Sequence, residues 1–138
     1  MFELFAVIVN LFKLLVAALC GSLIGLRRQI PDPGMAMAIH AMLATAACLF
    51  MTLSYVDLLG DPFQTAAAVV VGTSLIGAGV IIAHRGAAEG IWTAVSLWIA
   101  AINGLAVGAE LFLEGGAIAL LAYFIMPFSN RKSMDTNV

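Results

Sequence analysis

Charge is what this chain lacks most: Asp, Glu, Lys and Arg make up only 10% of its 138 residues, against about 25% in an ordinary soluble domain. A globule of 14.4 kDa cannot cover its surface with so few polar side chains, because a domain that small leaves much of its area in water. The composition therefore excludes a soluble enzyme and points to a membrane protein, with 63% hydrophobic residues and a mean hydropathy of +1.09. Bases are scarce as well. Six Lys and Arg against eight Asp and Glu leave a net charge of −2, too little positive charge for the basic stripe that nucleic-acid binding by counterion release requires. No nucleic-acid partner is expected. Cysteine is limited to Cys20 and Cys48, both inside apolar runs. Neither a disulfide framework nor a zinc site with paired ligand spacing suits that placement, so both read as free thiols filling apolar space.

What the chain has is length in apolar runs. About 20 helical residues span the roughly 30 Å of bilayer hydrocarbon, and five candidate runs are bounded by charge, Pro or Gly: Leu4 to Leu26, Met35 to Tyr55, Gln64 to Ala83, Ile91 to Ala109 and Leu111 to Phe128. The fold class predicted is an all-α bundle of about five transmembrane helices, with a membrane domain over residues 1–128 and a short polar tail over 129–138. Pro31-Asp32-Pro33-Gly34 and Asp61-Pro62 punctuate the runs. The fifth run is the weakest, since Glu114, Gly115 and Gly116 leave only Ala117 to Phe128 as a clean apolar stretch, and a re-entrant segment is the alternative there. Met1-Phe2-Glu3 offers no basic n-region, so the first run reads as a retained helix rather than a cleaved signal. Leu19 before Cys20 argues against a lipidation site.

Orientation follows from the bases, which are retained on the cytoplasmic side. Arg27, Arg28, Arg85, Arg131 and Lys132 all fall on one side of the predicted bundle, together with Asp32, Glu89 and Asp135. Glu3, Asp57, Asp61, Glu110 and Glu114 fall on the other, without a base among them. The N-terminus is thus expected outside and the C-terminus in the cytoplasm.

Lipid tails are as apolar as leucine, so helices in a bilayer associate through close approach at small residues and through interhelical hydrogen bonds. Small residues recur at helical spacing: Ala17, Gly21 and Gly25 in the first run, Thr65, Gly72 and Gly79 in the third, Ser96, Ala100, Gly104 and Gly108 in the fourth. Each series predicts a smooth face, serving as a tight helix seam or lining a ligand or conduction groove. Ser22-Leu23-Ile24-Gly25 and Ser74-Leu75-Ile76-Gly77 are identical, a short match of the kind a duplicated two-helix unit leaves.

Ionisable and polar residues inside a span are the candidates for function. Lys13 shares a helical face with Asn10, where an ammonium and an amide could hold a partner or an anionic group; the simpler reading is that Lys13 snorkels to the outer edge. Asn103 lies seven residues after Ser96 on one face of the fourth run and predicts an interhelical hydrogen bond or a binding contact. His40 falls about one turn inside the second run, where it could titrate or pair with Arg28 or Arg85. His84, Arg85 and Glu89 flank a short loop and suggest a local salt bridge or a helix-end cap. Trp92 suits the interfacial belt, whereas Trp98 is too deep for it and is expected to pack between helices. Among the outer acids only Glu110 and Glu114 have ligand-like spacing, so no metal site is assigned. Gly72 and Gly77 match half of a phosphate loop, but Ala78-Gly79 stand where Lys and Ser or Thr are required. No nucleophile, base and acid set is visible, so no catalytic residue and no cofactor are predicted.

Taken in order, several segments resemble the membrane domain of the MgtC/SapB family of bacterial inner-membrane proteins. Gly21-Ser22-Leu23-Ile24-Gly25-Leu26-Arg27-Arg28-Gln29 is similar to the family's Gly-x-Leu-Ile-Gly-x-Glu-Arg segment, and Gly72 to Gly79 to its Gly-Ile-Gly-Phe-Leu-Gly-Ala-Gly. Gly90-Ile91-Trp92-Thr93-Ala94-Val95-Ser96-Leu97-Trp98 resembles Gly-Leu-Thr-Thr-Ala-Ala-x-x-Trp, continued by Ala101 to Gly108. Two departures stand out: Arg27 where the family has an acid, and Ala36-Met37-Ala38-Ile39 where it has Gly-Leu-Arg-Thr. The resemblance implies a non-enzymatic, multi-pass regulator in the inner membrane, linked to magnesium limitation and, in pathogens, to virulence. It would act by contact with a membrane partner such as a subunit of the F-type ATP synthase. The contact residues expected on this reading are the small faces of the third and fourth runs with Asn103. The alternative is a small oligomeric transporter or channel for Mg²⁺ or another cation, since one chain of this size has little room for a pathway unless it forms a homo-oligomer.

Overall fold

A computed structural model describes residues 1–27, 33–56, 58 and 60–126. They form five helices: α1 (Phe2–Leu26), α2 (Pro33–Tyr55), α3 (Pro62–Ala83), α4 (Ala88–Gly108) and α5 (Phe112–Ile125). Among the described residues there is no strand. The first four helices are long and apolar enough to cross a membrane, which makes the chain a multi-pass membrane protein. Arg28, Asp32, Asp57, Arg131, Lys132 and the tail expected over 129–138 lie outside the described residues.

The first four helices start earlier than their apolar runs suggest. Pro33 opens α2, and Pro62 opens α3 behind Asp61, whose carboxylate accepts from the Gln64 N–H at 3.3 Å. A proline at the first helical position loses nothing, because its missing N–H would be unpaired there anyway. α3 and α4 each end in the same way. The N–H of Arg85 bonds the Ile82 carbonyl and that of Gly86 the Ile81 carbonyl, while Glu110 and Leu111 do likewise to Val107 and Ala106. Both are Schellman endings, yet the left-handed position is filled by Arg85 (φ 52°) and Glu110 (φ 68°) rather than glycine. α5 begins at Phe112, so Gly115 and Gly116 lie inside the helix instead of interrupting it. Its 14 residues extend about 21 Å, short of the roughly 30 Å hydrocarbon layer.

α2 is clasped between α1 and α4, and α4 is the helix that meets all four others. Its buried residues Ala36, His40, Ala44, Cys48 and Thr52 recur every four positions and form one continuous ridge. A methyl group added to Gly25 would lie 2.7 Å from the Ala36 carbonyl oxygen, one on Gly21 2.6 Å from that of His40, and one on Gly108 2.7 Å from that of Cys48. At Gly104 it would collide with the Ala44 carbonyl. The series on α1 and α4 are therefore seams. The third series behaves differently: around Gly72 and Gly79 nothing lies within 4 Å, and α3 meets α4 instead at Gly77, opposite Ala94. Gly25 and Gly77, which end the two copies of Ser-Leu-Ile-Gly, thus each face the next helix in the chain.

These environments separate the glycines by test. Gly104→Ala is expected to lower stability by about 1–3 kcal/mol, the usual range for overpacking a tight interior. Gly72→Ala is expected to be neutral or stabilising by up to about 1 kcal/mol, since alanine is the better helix former and has open space there. Unfolding of the purified variants in mixed detergent micelles measures both.

Candidate functional site

The polar side chains of the spans come together at two levels of the bundle. At the first, His40 is buried, 1% exposed. Its Nδ1 lies 2.7 Å from the Ala36 carbonyl and its Nε2 2.8 Å from Ser96 Oγ on α4. A carbonyl only accepts, so Nδ1 carries a hydrogen, and in the neutral ring Nε2 accepts from the Ser96 hydroxyl. Ser96 Oγ also lies 2.8 Å from the Thr93 carbonyl. If the ring is instead protonated at both nitrogens, Nε2 donates to Ser96 and the hydroxyl turns to Thr93. The same heavy-atom geometry serves either form. His40 is therefore a link between α2 and α4; Arg28, one of its two candidate partners, lies outside the described residues. Pro33 opens α2 early and puts His40 seven residues inside the helix, about 10 Å at 1.5 Å per residue.

At the second level Lys13 meets Glu110, with Nζ 2.9 Å from Oε1. Lys13 is 6% exposed. Lys13 stands eleven residues into α1, which begins at Phe2, and the left-handed conformation of Glu110 at the α4–α5 turn brings that acid, 68% exposed, to its ammonium. Asn10, one turn away on α1, is half-buried. Glu110, read with Glu114 as the one acidic pair at ligand spacing, is thus engaged by an ammonium. Among the described residues no three His, Cys, Asp or Glu side chains gather as a metal-holding group.

Asn103 is fully buried and its Nδ2 donates to the Gly115 carbonyl of α5 at 2.5 Å. A methyl group on Gly115 would meet Val107 at 2.9 Å, so the glycine in α5 is what allows the amide to reach its backbone. In this conformation Asn103 faces α5 and presents no surface to a partner. Trp98 is corrected in the opposite sense: it is 41% exposed and borders a groove of about 260 Å³ between α3 and α4, shared with Gly77 and Ala94. The α3–α4 seam closes on those small residues, which leaves no slot for an indole. His84 caps α3, its Nδ1 bonding the Val80 carbonyl at 2.9 Å, and Gly90 of α4 packs against its side chain. Cys20 and Cys48 are free thiols.

Composition and spacing miss three features. The α2 ridge is one, although its Ala, Cys and Thr at intervals of four were available as a signal. The others are the Lys13–Glu110 pair and the guanidinium of Arg27 over the Tyr123 ring, 4.7 Å from its centroid. Both join residues far apart in the chain, and no local pattern encodes them.

Two contrasts test these assignments. Ser96→Ala is expected to cost about 0.6–1.7 kcal/mol, the range of interhelical hydrogen bonds in membrane proteins. Ser74→Ala, whose exposed hydroxyl bonds only the Val70 carbonyl of its own helix, should stay within about 0.5 kcal/mol. Arg85→Gly is expected to gain about 1 kcal/mol by relieving the left-handed position. Glu110→Gly should not show that gain, because it strands the Lys13 ammonium, and adding Lys13→Met should restore it. Detergent unfolding of the single and double variants gives the comparison.

Comparison with known proteins shows the family. Residues 14–133 match the model of the MgtC family. The chain is 32% identical to YhiD of Escherichia coli K12, whose name describes a candidate magnesium transporter, over 92% of this chain and 65% of that protein. It is 30% identical to SapB of Bacillus subtilis, over 88% of this chain and 58% of the relative. With MgtC of Salmonella typhimurium LT2 it shares 33% identity, over 80% of this chain and 48% of the relative. The chain thus spans between about half and two thirds of the length of these curated relatives. No solved structure matches it. With the family model covering most of its length, the chain belongs to the MgtC family.

Proposed function

We propose that this protein is a non-enzymatic regulator in the bacterial inner membrane, of the MgtC type, acting in adaptation to low magnesium through contact with a membrane partner. The observation that carries this reading is the division of labour among the helices. The polar groups His40, Ser96, Asn103 and Lys13 join the chain's own helices, whereas α3 keeps an outward face. Gly72 and Gly79 have open space above them, and Val71, Leu75 and Ile76 are exposed. A helix with small residues on a free face is suited to close approach by another helix in lipid. A membrane subunit of the F-type ATP synthase is the partner we favour, and a link to virulence follows from the same family reading.

A second reading, an oligomeric transporter for Mg²⁺ or another cation, is supported by the name of the E. coli relative. Against it stands the pairing of Glu110 with Lys13, which engages one of the two acids at ligand spacing. Affinity capture from native membranes in mild detergent tests the first reading. The expected result is co-purification of an ATP synthase membrane subunit, reduced at least severalfold by Gly72→Leu and Gly79→Leu, with a matching change in ATP synthesis by membrane vesicles. Cation flux into liposomes that contain this protein alone would decide for the transporter.

A further inference from the structure

A tryptophan at the edge of a bilayer keeps its indole N–H within reach of water or a lipid ester. Trp92 obeys this, standing four residues, about 6 Å, inside α4. Trp98 does not. It is the middle residue of α4, ten residues or about 15 Å from each end, so half of the roughly 30 Å of hydrocarbon separates it from the ester groups on either side. The indole is 41% exposed, and among the described residues its N–H finds no acceptor. An N–H without an acceptor is costly in hydrocarbon, and acyl chains offer none at that depth.

The groove that Trp98 borders, about 260 Å³ between α3 and α4, is also lined by Ser74. Ser74 is exposed and its hydroxyl donates to the Val70 carbonyl at 2.8 Å, which commits the hydrogen and leaves the oxygen lone pairs able to accept. Donor and acceptor lie level in the bilayer. α3 and α4 are antiparallel neighbours joined by four residues, and they meet where Gly77 faces Ala94. From that contact Ser74 is three residues and Trp98 four residues towards the same side of the membrane, about 4.5 and 6 Å. Equal depth matters because two copies inserted in the same sense are related by a twofold axis along the bilayer normal, which moves no atom in depth. Only groups at one level can pair across it.

We propose that this face is a homodimer interface: the α3–α4 groove of each copy receives the indole of the other, and each Trp98 N–H donates to the Ser74 hydroxyl oxygen across the axis. The contact is self-complementary, since one chain carries both the donor and the acceptor. Gly77, Ala78 and Ala94 have no side chain beyond a methyl group, so the groove lets a second backbone approach closely. An acyl chain would fill it without relieving the indole, and its volume is below the roughly 300–1,000 Å³ of small-molecule sites. Ser74 and Gly72 point about 200° apart around α3, so the face assigned above to a different membrane protein stays open in the dimer.

Full chains labelled at Met1 with a donor or an acceptor dye, reconstituted together in dioleoyl-phosphatidylcholine vesicles over a range of dilutions, test this by Förster transfer. Transfer should saturate at a stoichiometry of two. Ser74→Ala and Trp98→Phe should each weaken association at least severalfold, and the double variant should be no worse than Trp98→Phe alone, because both changes remove the same pair of bonds. Trp92→Phe and Gly72→Leu should leave association unchanged. Neither Ser74→Ala nor Trp98→Phe breaks a bond between helices of one chain, so lost transfer reports association and not folding. Monomers at every dilution overturn the proposal and give the groove to a different membrane protein. A dimer indifferent to both Ser74→Ala and Trp98→Phe overturns it as well, as does one that Gly72→Leu dissolves.

Discussion

Four glycines laid against four successive carbonyls of one helix hold this bundle together. Along α2 the carbonyl oxygens of Ala36, His40, Ala44 and Cys48 are each approached by Gly25, Gly21, Gly104 and Gly108 in turn. Two of the glycines come from α1 and two from α4, so the same ridge of α2 is clasped from both sides. In lipid there is no hydrophobic gain from bringing two helices together, and the attraction must come from dispersion and from weak contacts such as Cα–H···O at short range. Those terms fall off within an ångström, which is why a single methyl group at any of these positions matters more than a large side chain facing lipid.

The close approach also decides what the polar groups can do. His40 spans from the α2 ridge to Ser96 because the backbones of α2 and α4 are pressed together one turn away at Gly104 and Ala44. Asn103, the residue before Gly104, uses the other side of α4 to hold α5. The small residue and the polar residue are therefore paired devices. The first sets the distance and the second fixes the register, since a hydrogen bond tolerates far less sliding than a smooth contact does. α3 meets α4 at Gly77 against Ala94 and at its His84 cap against Gly90, and its Gly72 and Gly79 face open space.

How far this could be seen from residues alone depends on the range of the interaction. Five apolar helices and the seams of α1 and α4 were legible, because apolar length and small residues at spacing four are local patterns. Gly72 and Gly79 obey the same spacing and yet meet nothing, since periodicity identifies a face but not what covers it. The link from His40 to Ser96 joins residues fifty-six positions apart, beyond the reach of any local pattern. So does the pairing of Lys13 with Glu110 escape it: ninety-seven positions separate them in the chain, and only the stagger of α1 against the α4–α5 turn brings them level.

That stagger explains how α5 can be so short and still be held in place. Its 14 residues carry mostly aliphatic side chains that gain nothing by leaving lipid for protein. It is fastened near both ends instead. At its start, Phe12 of α1 lies against Phe112 with ring centroids 6.0 Å apart, beside the Lys13–Glu110 pair. Near its end, the Arg27 guanidinium from the close of α1 sits over the Tyr123 ring, a cation–π contact. This is the arginine that stands where the family pattern has a carboxylate. A carboxylate at that position would be repelled by the electron-rich face of Tyr123, so exchanging it for arginine turns the end of α1 into a clasp for α5. Both clasps come from one straight helix, and the spacing of Lys13 and Arg27 along α1, fourteen residues or about 21 Å, equals the length of the helix they hold.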